Sequence, residues 1–213
     1  MISRANIRCF WLCLVLVTSP LQAERVEPNP SEREYALAIQ FISQAKQRGN
    51  MDSRAGRAAL TAAVDHLKTA LRLDPNYVRA AILLGEIQLI RGRSDAATPT
   101  LQRLYRRFPT DQRLTYLLGV HFFRLNQYSK GAPLLAQVIA NDATALDARV
   151  LLARYLYRQK KYRKSLELAE SAVVLDPKDA DMFGLIGNIH LRTARLRNAA
   201  QAFRRVLQLR PTS

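Results

Sequence analysis

Apolar residues between about residue 34 and the end of the chain recur every three or four positions, the spacing of amphipathic helices and not of strands. Short polar turns such as Arg91-Gly92-Arg93-Ser94 divide the apolar stretches, and a proline closes every second one. The building unit is therefore a helix, a turn, a second helix and a stop. Ahead of the regular units, Ser31 and Glu34 offer a capping box that predicts one helix over 34–48, with a second over 54–73. This first pair, spanning 31–77, is degenerate, because its connection at 49–53 is longer than the later turns.

The units repeat at a fixed spacing. Proline stands at Pro75, Pro109, Pro177 and Pro211, and glycine at Gly85, Gly119 and Gly187; neighbours in each series are one or two periods of 34 residues apart. Ala143 and Ala153 fill the missing places. The same period carries Leu84, Leu118, Leu152 and Ile186, and the small residues Ala97, Gly131, Ser165 and Ala199. Small residues at fixed register let paired helices approach closely, so each pair buries its apolar stripe against the next. Pro99 and Pro133, also 34 apart, fall early in second helices and predict that those helices start late or kink.

These columns resemble the tetratricopeptide repeat: Leu-Gly in a first helix, Ala in a second, a closing Pro, and Phe203 at the usual aromatic site of the last unit. The resemblance implies an all-α, right-handed superhelical solenoid of antiparallel helix pairs. It implies about five repeats, four of them regular at 78–111, 112–145, 146–179 and 180–213. It also implies a concave groove lined by the first helices. Arg79, Ile82, Glu86 and Leu89 belong there in the first regular unit, then Arg113, Tyr116, Val120, Phe123 and Arg124. Val150, Arg154, Tyr157 and Arg158 follow, and then Gly184, Asn188, Leu191 and Arg192. Within this set Arg124, Arg158 and Arg192 form a ladder spaced by 34 and preceded by Phe123, Tyr157 and Leu191, suited to an acidic peptide or an anionic polymer. The Lys-Asn carboxylate clamp of some family members is not matched, since Asn188 is present but Gly184 stands at the lysine site.

Charge sharpens the picture of partners. With 33 Lys+Arg against 17 Asp+Glu the chain carries +16, which favours acidic proteins, anionic polymers or a membrane surface. A second basic run, Arg158-Gln159-Lys160-Lys161-Tyr162-Arg163-Lys164, spans one turn at the solenoid edge. Beyond the last helix no capping element is read, so Val206 and Leu207 are expected to leave an apolar strip open to a partner or a second copy.

The start of the chain reads differently. Arg4 and Arg8 precede an apolar run too short for a membrane span, and Leu21-Gln22-Ala23 offers a small residue for cleavage, so residues 1–23 are expected to be an export signal and 24–30 an extended linker. Both cysteines, Cys9 and Cys13, lie in the segment removed, which leaves a chain without thiols at +14, suited to the periplasm. The expected function is a non-catalytic adaptor of the bacterial cell envelope, in assembly of a pilus, an outer-membrane machine or a polysaccharide exporter. An anionic-polymer-binding module and a secreted effector are the alternatives. No cofactor and no catalytic residue are expected: His66, His121 and His190 are far apart, and neither a phosphate-binding loop nor a nucleophile elbow is present.

Overall fold

The computed structural model describes residues 29–47 and 53–211. The expected export signal, most of the linker and residues 48–52 of the first connection lie outside the described residues. Among the described residues the elements are α1 (Pro30–Gln47), α2 (Arg54–Leu73), α3 (Val78–Ile90), α4 (Ser94–Arg107), α5 (Gln112–Arg124), α6 (Tyr128–Asn141), α7 (Leu146–Arg158), α8 (Tyr162–Leu175), α9 (Ala180–Arg192) and α10 (Leu196–Leu209). From α3 onward a 13-residue helix, a three-residue turn, a 14-residue helix and a four-residue turn complete each period.

Turns this short force consecutive helices antiparallel. Each helix packs on the next; α3 also touches α5 and α7 touches α9, whereas the even-numbered helices make no comparable contact with one another. The odd helices therefore form the inner layer and the even helices the outer layer of an all-helical solenoid. Leu84, Leu118, Leu152 and Ile186 are buried, as are Ala97, Ala153 and Ala199. A Cβ added at Gly85 would stand 2.7 Å from Leu117 Cδ2, and one added at Gly187 would stand 2.7 Å from Phe203 Cε1. Helices meet where a side chain is missing.

Two local expectations are corrected. The first helix begins at Pro30, four residues before the predicted start, and its cap is Asn29, whose Oδ1 accepts from the Ser31 amide at 3.2 Å. Proline suits the first helical position, having no N–H to leave unpaired, and asparagine is a strong cap. Glu34 is thereby freed from capping and pairs with His66 Nδ1 on α2 at 2.7 Å. Of the two alternatives read for α4 and α6, the late start does not hold, since the helices begin at Ser94 and Tyr128, ahead of Pro99 and Pro133. Each proline removes one amide from the ladder, but the carbonyls that lose a donor belong to Asp95 and Ser129, both exposed, so water replaces the bond.

His121 on α5 is fully buried and places Nε2 3.1 Å from the Gly85 carbonyl. Burial pushes its pKa below the usual 6.5, against the opposing contacts of the Gly85 and Ser94 backbone. As pH falls through 6.5 the unfolded chain takes up a proton that the folded chain resists, so this residue makes stability fall with acidification until its own folded pKa is reached. Urea midpoints taken from about pH 7.5 down to about pH 5 are expected to drop more steeply for the wild type than for His121→Gln.

Candidate partner-binding groove

Ion pairs lace the inner layer at a repeating position. Arg113 on α5 places Nη2 2.7 Å from Glu86 Oε1 on α3, and Arg154 on α7 places Nη2 3.4 Å from Asp181 Oδ2 on α9. Glu86 and Arg154 share one register position, as do Arg113 and Asp181, so the two pairs are the same staple with its signs exchanged. Arg210 adds a second contact to Asp181 at 2.8 Å. These pairs are exposed and each contributes no more than about 1 kcal/mol. Their effect on a ligand is larger, since Arg113 and Arg154 are already neutralised.

Between the two staples the equivalent positions hold Val120 and Asp147, which cannot pair. There the inner layer opens into a cleft of about 540 Å³ among α3, α5 and α7. Leu89, Val120, Phe123 and Val150 supply its apolar lining, and Tyr116, Asp147, Arg124 and Arg158 its polar groups. Burial, with Asp147 as the lesser cause, pushes the Tyr116 phenol pKa up, so at neutral pH its hydroxyl remains a hydrogen-bond donor. A ligand meets both charge signs over an apolar lining.

The predicted residues divide accordingly. Arg124 and Arg158 share the cleft. Arg192 does not line it; the neighbouring Tyr157 raises the arginine's pKa, and Tyr157 in turn faces Tyr162 at 5.7 Å. Arg79 lines a separate recess with Tyr35, Ile82 and Arg113. Asn188 is exposed on α9, where Gly184 has open space beside it. Phe123 is half packed: its ring meets Tyr128 at 5.3 Å and Tyr155 at 5.5 Å edge-on, while those two tyrosines stack at 5.2 Å. Asp147 was not singled out from sequence, although it repeats the register of Arg79 and Arg113. Among the described residues no group of three or more His, Cys, Asp or Glu is placed to hold a metal ion, and no helix is long and apolar enough to cross a membrane.

Family profiles of the tetratricopeptide repeat match residues 55–120, 116–180 and 150–213. The chain belongs to the tetratricopeptide-repeat family. Its fold is similar to that of MamA protein, with a TM-score of 0.72 and 18% identity over 86% of this chain and 93% of that one. MamA from Desulfovibrio magneticus RS-1 gives 0.70 and 20% identity, covering 84% of this chain and 97% of that one. YrrB, described as a tetratricopeptide-repeat protein with an unusual peptide-binding site, gives 0.65 and 19% identity, covering 82% and 87%. At such identities the likeness speaks for the fold alone. No curated protein matches the sequence. In tetratricopeptide-repeat terms the cleft lies on the inner face of the first three regular units.

Proposed function

We propose that this protein is a non-catalytic adaptor of the bacterial cell envelope that holds a protein or peptide segment in the cleft between α3, α5 and α7. The observation that carries the reading is the interrupted series of staples: where Val120 faces Asp147, the groove keeps two arginines uncommitted to an acid, beside an apolar lining. A segment with a carboxylate next to an apolar side chain fits, through charge-assisted bonds from Arg124 and Arg158 and burial against Val120 and Val150. Asp147 supplies an acceptor for a backbone N–H or a cation. An extended polyanion fits less well because Asp147 repels it. YrrB, of the same fold, is described as binding peptide.

The envelope placement rests on residues 1–23, with their basic start, short apolar run and small-residue cleavage site, and on the lack of cysteine in 24–213. Work in the assembly of a pilus, an outer-membrane machine or a polysaccharide exporter is the corresponding role.

The test is capture of envelope proteins by the tagged chain, followed by titration of the identified segment as a labelled peptide. Arg124→Glu together with Arg158→Glu is expected to weaken the peptide about tenfold or more, with moderate dependence on salt. Unchanged affinity in the double variant would remove the cleft from the interaction. A steep log-linear loss with salt, shared by an unrelated polyanion, would favour the anionic-polymer alternative.

A further inference from the structure

The connecting turns at the two edges of the solenoid differ in charge. The turns between pairs, at 74–77, 108–111, 142–145 and 176–179, hold Asp74, Asp111, Asp142, Asp176 and Asp179 against one Lys178. The turns within pairs, at 91–93, 125–127, 159–161 and 193–195, hold Arg91, Arg93, Lys160, Lys161 and Arg195 and no acid. Arg163, Lys164 and Arg197 extend the basic edge into the first turns of α8 and α10, whereas the first turn of α4 holds Asp95.

Local structure accounts for the acidic edge and not for the basic one. Asp111 and Asp179 cap α5 and α9 by accepting from the amides of Leu114 and Met182, at 2.8 and 3.0 Å. Asp74, Asp142 and Asp176 each accept from the amide two residues on. On the basic edge the caps of α4, α8 and α10 are Arg93, Lys161 and Arg195, and none makes a side-chain capping bond. The first turns of α8 and α10 contain no acid. Cations at a helix N-terminus oppose the helix dipole, so these residues weaken the helices they start. Lys160 adds a second cost. Gly92, Asn126, Lys160 and Ala194 occupy one position of four successive turns, all at positive φ, where lysine sits at +57° in a place that glycine holds without strain.

Exposed apolar residues stand next to the same turns, at the ends of α3 and α9 and at the start of α10. Ile90, beside Arg91, is 67% exposed; Leu191, beside Arg192, is 48% exposed; Leu196, between Arg195 and Arg197, is 67% exposed. A row of cations spread over several repeats with protruding aliphatic side chains matches a lipid surface, where the cations meet headgroups and the aliphatic tips enter the acyl boundary. An acidic polymer would call for the charges and leave the aliphatic tips without use.

We infer that the edge formed by the turns within helix pairs docks the solenoid flat against an anionic phospholipid bilayer, leaving the inner cleft open to the side.

The experiment is sedimentation of the full chain with vesicles of phosphatidylcholine alone and with phosphatidylglycerol mixed in. Binding is expected to rise strongly with the anionic lipid. Lys160→Glu, Lys161→Glu, Arg163→Glu and Lys164→Glu combined are expected to lower partition by about a hundredfold or more. The thermal midpoint of this variant should hold or rise, because acids at the start of α8 suit the dipole. Arg195→Glu with Arg197→Glu on the next turn is expected to act in the same direction and covers the case in which the first variant misfolds. Leu196→Ser, which changes no charge, is expected to weaken partition about tenfold. Equal binding to neutral and anionic vesicles, or unchanged partition in both charge variants, would overturn the inference. So would an unchanged Leu196→Ser variant together with equally tight binding of soluble dextran sulfate, which would identify a polyanion as the partner of this edge.

Discussion

Leu118→Ala is expected to lower the unfolding free energy by about 2–5 kcal/mol, read as a fall in the urea midpoint. Leu118 is 1% exposed and belongs to a cluster with Leu101, Leu104, Leu114 and Phe122, in which α4, α5 and their neighbours meet. The cost has two parts, the lost transfer of the side chain and the cavity left among neighbours held by other contacts. A solenoid is stabilised largely by nearest-neighbour interfaces, so weakening this one also loosens the coupling between α3–α4 and α5–α6. A broadened transition with a smaller denaturant slope is therefore expected with the shifted midpoint. Leu207, 54% exposed on α10, makes the control: its truncation to Ala is expected to change stability by about 0.5 kcal/mol or less.

Gly131→Val is expected to cost about 3 kcal/mol by overpacking. A Cβ at this position would stand 2.6 Å from Phe123 Cδ2 and 2.9 Å from the Gly119 carbonyl oxygen. Phe123 is braced by Tyr128 and Tyr155, and the carbonyl belongs to the backbone of α5, so relief requires α5 and α6 to separate. The following pair shows how a side chain is accommodated at this register. Ser165 is buried there, and its hydroxyl donates to the Ala153 carbonyl at 2.8 Å. Gly131→Ser is accordingly expected to lose distinctly less than Gly131→Val in the same denaturation measurement. Equal losses would mean that bulk alone decides and that the hydrogen bond does not compensate.

The small-residue and leucine columns were legible because they follow from contacts repeated at every interface, and one repeated contact leaves one repeated residue. Gly85, Gly119 and Gly187 read as close approaches, and Leu84, Leu118, Leu152 and Ile186 as core, from their spacing alone. Helix starts were less legible. Ser31 with Glu34 has the pattern of a capping box, yet Asn29 and Pro30 form the actual start, and Glu34, left free of capping, pairs with His66 across the helix pair. Local pattern offered two candidate starts, and the role Glu34 takes up instead lies 32 residues away.

The binding residues show the same division. Arg192 looks equivalent to Arg124 and Arg158 when read by register, and Arg79, Arg113 and Arg154 read as further inner-face cations of the first helices. Their neighbours separate them: Glu86 holds Arg113, Asp181 holds Arg154, and Arg192 lies outside the cleft beside Tyr157. Asp147 gains its importance by lacking such a partner, since the residue set to face it is Val120.

Sequence by itself determined the class of this molecule. A 34-residue period of paired helices is encoded by turns of three and four residues and by apolar spacing within single helices, all of them local properties of the chain. Tertiary structure alone decided where the groove opens and which cations remain available to a partner. Whether an inner-face arginine is paired or open to a ligand depends on a side chain 27 residues away on the adjoining helix, and only the packed stack brings the two within 3.4 Å.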